Sequence, residues 1–310
     1  MQGADQQVLS TAVEWLDAGH RVTLVTVAKT WGSAPRPAGS LMVVRDDGRL
    51  EGSVSGGCIE DDLLARCTAG EFAQGTATLV DYGVNNAEAQ RVGLPCGGRL
   101  ELALEMPATA APLRKVLEKI HARQLVRRRL CLSTGEVSLH RATRDEEFAY
   151  DGENLDKVFG PQWRMLLIGA GHLSRYVAQM ALALEYEVIV CDPRREYADA
   201  WEVPGTRLET GMPDDVVAAH PGDARSIVLA LTHDPKLDDM ALMQALVDDT
   251  FYVGALGSTR SNAKRRERLA SLGVSAAALA RMHGPVGLPI GSRTPAEIAV
   301  AILSGVTAQR

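Results

Sequence analysis

Apolar positions fall into two regimes along the chain. From Met165 to Ile168 an unbroken apolar run of strand length enters the turn Gly169-Ala170-Gly171, as expected for a strand buried on both faces. Val177, Met180, Ala181 and Leu184 then keep helical spacing, and Val188–Cys191 forms a second apolar run that ends on Asp192. Further strand-like runs at Ser226–Leu231 and Phe251–Ala255 are each followed by a helical pattern. Such alternation predicts a parallel, doubly wound α/β sheet. The last helix announces its start at Thr294-Pro295-Ala-Glu297, where an N-cap residue, an N1 proline and a capping-box Glu stand in register.

The first half reads differently. Apolar positions 8, 9, 12, 13 and 16 predict a helix over Asp5–Ala18, closed by Gly19. Arg21–Lys29 is β-branched and strand-like, and Leu41–Val44 with Leu50–Val54 reads as a hairpin. The loop Gly52-Ser-Val-Ser-Gly56-Gly57-Cys58-Ile-Glu60 opens a helix reaching to about Ala69. Strands follow at Thr76–Asp81 and Arg99–Leu104, the latter after Gly93-Leu-Pro-Cys96-Gly-Gly98. A helix over Leu113–Ala122 and a hairpin over Leu125–His140 complete this part. The polar stretch Asp145–Pro161 has the composition of a linker. The expected organisation is a smaller α+β domain at residues 1–160, then a Rossmann-like doubly wound domain at residues 161–310.

The chain has 310 residues with a net charge of −6. That balance gives no reason to expect nucleic acid or an anionic membrane as a partner. The basic runs Arg123–Arg129 and Lys264–Arg268 read as solvated faces. No apolar stretch is long enough to cross a membrane, and no leader pattern is visible, so a cytoplasmic protein is expected. The five cysteines fit reduced thiols, and none is arranged as Cys-x-x-Cys.

Two places carry candidate chemistry. A Gly-x-Gly turn at a helix N-terminus offers backbone N–H groups and the helix dipole to a phosphate. Asp192 stands about 20 residues beyond it, where a ribose-binding acid is usual. Ser174 replaces the third glycine. Around the carboxyl ends of the strands fall His172, Arg194, His233, Asp234, Gly257, Ser258 and Arg293. His233 and Asp234 read equally as an acid/base pair or as a strand-end turn with Asp as helix cap. In the first domain Cys58 follows Gly56-Gly57 at a predicted helix N-terminus, which enriches a thiolate, whereas Glu60, Asp61 and Asp62 act against it. Cys96 precedes two further glycines, while Cys67, Cys131 and Cys191 lie on apolar faces and read as core.

These stretches resemble the XdhC/CoxI family of xanthine dehydrogenase accessory proteins. The matching segments are Thr30-Trp-Gly-Ser-Ala-Pro-Arg-Pro-Ala-Gly-Ser40, Gly52-Ser-Val-Ser-Gly-Gly-Cys-Ile-Glu60, Gly93-Leu-Pro-Cys-Gly-Gly98, Leu167-Ile-Gly-Ala-Gly-His172, Leu256-Gly-Ser258 and Gly291-Ser-Arg-Thr-Pro-Ala-Glu-Ile-Ala299. Two positions depart: Glu185 stands where the family usually has a helix-closing glycine, and Pro289 where Asp is common. The resemblance implies a maturation factor rather than a turnover enzyme. It would bind a molybdopterin-type molybdenum cofactor, in the mono- or cytosine dinucleotide form, protect it while a cysteine desulfurase supplies sulfur, and assist its insertion into a molybdenum hydroxylase apoenzyme. A homodimer is compatible with this. On that view Gly169, Gly171 and His172 face the phosphate, with Asp192 and Arg194 at any nucleotide ribose. His233, Gly257, Ser258 and Arg293 stand round the same ligand, and Gly56, Gly57, Cys58 and Cys96 attend the molybdenum and sulfur end. Two other classes compete: an NAD(P)-dependent oxidoreductase, and a non-catalytic nucleotide-binding regulatory protein.

Overall fold

A computed structural model describes residues 3–32, 36–57, 59–72, 77–83, 99–144, 146 and 148–310. The chain divides into two compact units, Gln2–Pro161 and Gln162–Arg310. Among the described residues, the N-terminal unit is built from α1 (Ala4–Asp17), β1 (Val22–Trp31), β2 (Leu41–Arg45), β3 (Leu50–Gly52), α2 (Glu60–Thr68), β4 (Ala77–Tyr82), β5 (Arg99–Glu105), α3 (Ala111–His121), β6 (Val126–Cys131), β7 (Val137–Arg141), β8 (Ala149–Tyr150) and β9 (Asn154–Phe159). An antiparallel sheet in the order β3-β2-β1-β5-β4 lies at its centre. Successive residues of a strand face opposite sides, so β1 and β2 feed two cores. Val25, Val27, Met42 and Val44 meet Ile59 and Leu63, while Leu24, Leu41 and Val43 meet α1 and α3.

The linker expected at 145–161 is in part a strand. A second antiparallel sheet runs β7-β6-β9-β8, and β9 pairs along β6 from Val126↔Phe159 to Cys131↔Asn154. Its polar residues misled because their charges are matched across strands: Arg129 donates to Asp156 at 2.9 and 2.7 Å. Nor is the basic run here wholly solvated, since Arg128 is buried against Glu105 of β5.

The C-terminal unit comprises β10 (Arg164–Ile168), α4 (His172–Ala183), β11 (Glu187–Cys191), α5 (Arg195–Ala198), β12 (Arg207–Glu209), α6 (Pro213–Ala219), β13 (Ser226–Ala230), α7 (Pro235–Val247), β14 (Tyr252–Ala255), α8 (Thr259–Ser271), α9 (Ala276–Ala280), β15 (Met282–His283) and α10 (Pro295–Thr307). Its strands are parallel in the order β12-β11-β10-β13-β14-β15. The chain order reverses between β10 and β13, which is the crevice where ligands bind in doubly wound folds. Met165, Leu167, Val188 and Val190 pack on α4 and α10; their neighbours Leu166, Ile168 and Ile189 pack toward α6, α7 and α8. Among the described residues no helix is long and apolar enough to cross a membrane.

Candidate functional site

β10 delivers its chain into a turn that only glycine satisfies at the first position. Gly169 has φ +107°, and a Cβ there would lie 2.9 Å from Thr232 Cγ2. The close approach joins the loop after β10 to the loop after β13. Gly171 is the N-cap of α4, in extended backbone, and no side chain caps the helix. By contrast α7, α8, α9 and α10 are capped by Asp234, Ser258, Ser275 and Thr294. A Cβ at Gly171 would meet nothing within 4 Å. The uncapped first-turn amides of α4 therefore border open space, with His172 exposed beside them. Ser174 is buried, and its Oγ has no hydrogen-bond partner among the described residues.

Asp192 is 0 % exposed. Its Oδ2 accepts the Ala170 N–H at 2.8 Å, between the two glycines, and Arg194 Nη2 at 2.8 Å. Its Oδ1 accepts the Arg194 backbone N–H and Nε at 3.1 and 2.9 Å. Burial works to raise this carboxyl, and the Arg194 and Ala170 donors outweigh it, so the net shift is downward. The acid thus braces the glycine turn and aims Arg194, which also stacks 4.0 Å over the Tyr197 ring. Arg194 is a partly exposed cation of this corner, and its Nε and Nη2 are already engaged by Asp192, which leaves Nη1 uncommitted among the described residues.

Neighbouring loops are held by a polar network that sequence reading did not single out. Asp238 accepts from the Thr232 amide and hydroxyl at 3.2 and 2.7 Å and from Arg265 at 2.8 Å. Arg265 in turn donates to the Leu256 carbonyl and Asn262, and Asn262 donates to the Gly257 and Ser258 carbonyls. Burial pushes the Asp238 carboxyl up to about 6 against the pull of Thr232 and Arg265. Arg265 lies inside the basic run 264–268, so that run also is not purely a solvated face. The only warning in the sequence was an Asp one helical turn beyond the Asp234 cap.

Asp234 caps α7, accepting the Lys236 N–H at 2.9 Å, and His233 is exposed. Gly257 has φ +126° and Ser258 caps α8. Arg293 is exposed next to the capping box, with its backbone N–H on Glu297 at 2.7 Å. In the N-terminal unit Gly56 and Gly57 are exposed with φ +75° and +107°. Cys58 and Cys96 lie outside the described residues. Of the three cysteines described, Cys191 is buried in the core and its thiol is pushed up to about 12 by that burial. Burial raises Cys67 too. Cys131 departs from the core expectation: it is partly exposed at the end of β6, 3.3 Å from Ser133 Oγ, and hydrogen bonds from Ser133 and Thr134 bring its thiol down to about 7. Among the described residues no group of three His, Cys, Asp or Glu side chains could hold a metal ion.

Sequence comparison decides the family. Residues 165–306 match the XdhC Rossmann domain and residues 15–83 match the XdhC and CoxI family. The chain is 30% identical over 305 residues to the molybdenum cofactor insertion chaperone PaoD of Escherichia coli K12, covering 98% of this chain and 88% of that one. The chain belongs to the XdhC/CoxI family. It is also 25% identical over 326 residues to a probable xanthine dehydrogenase subunit from Bacillus subtilis 168, covering 95% of each. A crystal structure of a xanthine dehydrogenase from Bacillus halodurans shares the fold, with a TM-score of 0.74 at 22% identity over 99% of this chain and 95% of that one.

Proposed function

We propose that this XdhC/CoxI protein carries a molybdenum cofactor as cargo, supports its sulfuration by a cysteine desulfurase, and hands it to a molybdenum hydroxylase apoenzyme. The reading is supported by the family and by the 30% identical relative described as a molybdenum cofactor insertion chaperone. The observation that carries it is the uncapped N-terminus of α4 with Arg194 braced by Asp192. The cargo's phosphate, single or part of a dinucleotide, takes the amides beyond Gly169 and Gly171 and the Arg194 guanidinium. Asp192 acts through those groups rather than on a ribose directly, because its carboxylate is sealed. His172, His233, Gly257, Ser258 and Arg293 border the remainder of the ligand. Cys58, which follows Gly56 and Gly57 in sequence, and Cys96 are the thiols proposed for the molybdenum and sulfur chemistry.

Protein recovered from a molybdate-fed host tests the proposal through its molybdenum content, pterin absorbance and capacity to activate apo-hydroxylase. Cys58→Ala should fold and keep the pterin yet fail to activate. Recovery of protein without molybdenum or pterin, together with tight NADH binding, would overturn the reading in favour of a dehydrogenase.

A further inference from the structure

The loop before α2 is folded around one carboxylate. Glu60 is 7 % exposed, although it is the first residue of its helix. Its side chain turns back into the preceding loop instead of lying along the helix. Oε1 accepts from Ser53 Oγ at 2.8 Å, the Val54 N–H at 3.1 Å and the Ser55 N–H at 3.0 Å. Oε2 accepts the Gly57 N–H at 3.0 Å, the Ile59 N–H at 3.2 Å and the Ser55 hydroxyl. Two hydroxyl oxygens lock the ring further: Ser53 Oγ accepts the Gly56 N–H at 3.0 Å and Ser55 Oγ accepts the Ile59 N–H at 3.0 Å. Gly52, Gly56 and Gly57 adopt left-handed φ, and at Gly52 a Cβ would lie 2.5 Å from the Leu41 carbonyl oxygen.

We propose that Glu60 is the positioning residue of the Cys58 loop: its carboxylate fills the ring of amide and hydroxyl donors and fixes the backbone on both sides of Cys58. Two consequences follow. First, this glycine-rich loop is not a phosphate cradle, since the chain supplies its own anion to those amides. Second, the two carboxylate oxygens have different duties. Oε1 holds the entry to the loop, whereas Oε2 holds Gly57 and Ile59, the immediate neighbours of Cys58. A helix-capping or dipole role would be met by a solvated acid. A buried one needs its donors to offset desolvation, and here those donors all belong to the loop.

The functional consequence rests on the chaperone reading; the positioning does not, and the test separates them. In full-length protein, alkylation of Cys58 by iodoacetamide is followed by peptide mapping from about pH 6 to about pH 10, a range that spans ordinary thiol titration. Cys131 serves as internal reference. Glu60→Gln sets an amide N–H₂ against N–H donors, and the milder Ser55→Ala removes one donor to the carboxylate together with the hydroxyl that accepts the Ile59 N–H. Both variants should change the limiting, fully ionised rate at Cys58 by at least about threefold, a modest return for losing charge-assisted hydrogen bonds. The Cys131 profile should not move. An unchanged Cys58 profile, or a shift of its midpoint with the limiting rate intact, overturns the proposal. If Glu60→Gln fails to fold, Ser55→Ala decides alone. Altered alkylation with undiminished activation of apo-hydroxylase leaves the positioning in place and sinks the chaperone role of Cys58 instead.

Discussion

Glu185 closes α4 with a φ of +63°, a conformation that strains any residue with a Cβ. Its backbone N–H bonds the Leu182 carbonyl and its own carbonyl accepts from Gln162 Nε2 at 2.6 Å, so the left-handed turn is retained without glycine. The departure from the family pattern noted in the sequence is thus a local cost, not a change of fold. Relief of strain worth about 1–2 kcal/mol is opposed by up to about 1 kcal/mol of added freedom in the unfolded chain. Glu185→Gly should raise stability by about 0.5–1 kcal/mol, read as a higher urea midpoint at unchanged slope; a lower midpoint would show that the exposed carboxylate has an unrecognised partner. Residue identity alone marked this position, and it also marked the Thr294 capping box. It did not mark Glu60 or Asp238, because a buried carboxylate with a full set of donors looks in sequence like any acid near a helix start.

Among the elements, β10, its glycine turn and α4 were legible because strand length, helical spacing and turn chemistry all agreed. β9 was not, since a strand whose charges are paired across the sheet loses the alternation that identifies it. The two glycines of the legible turn make opposite predictions. Gly169 combines positive φ with a clash at Thr232, so Gly169→Ala should destabilise the unit by more than about 1 kcal/mol. Gly171 has ordinary extended backbone and free space, and Asp is a good N-cap. Gly171→Asp should therefore leave the melting temperature equal or slightly higher while its carboxylate occupies the very amides a phosphate needs. Loss of pyrophosphate or cofactor binding in this well-folded variant is the expected result. Unimpaired binding would move the anion site away from α4.

Considered whole, the molecule uses one device in both units: an internal carboxylate grips the amides of a glycine turn, Glu60 in the first and Asp192 in the second. The second also leaves the uncapped amides of α4 and the partly exposed Arg194 on offer. The device should be visible in the response to acid. Burial acts to raise the Glu60 carboxyl, but the Ser55 and Ser53 donors and the loop amides outweigh it and bring it down to about 2 from 4.5. Asp192 moves in the same direction, with Arg194 facing it. A carboxyl depressed on folding stabilises the native state fully above its unfolded value and loses that contribution as pH falls toward the folded one. For Glu60 the window runs from 4.5 down to about 2, and the contribution at neutral pH is at most roughly 3 kcal/mol. Urea unfolding of the full chain at a series of pH values should show Glu60→Gln less stable than the parent at pH about 7, with the gap closing through that window. Asp192→Asn should behave alike, with a smaller gap because Arg194 keeps its stack on Tyr197. Curves that stay parallel down to pH about 2 would mean that neither carboxylate is held as an anion by its turn, and the shared device would be an accident of geometry.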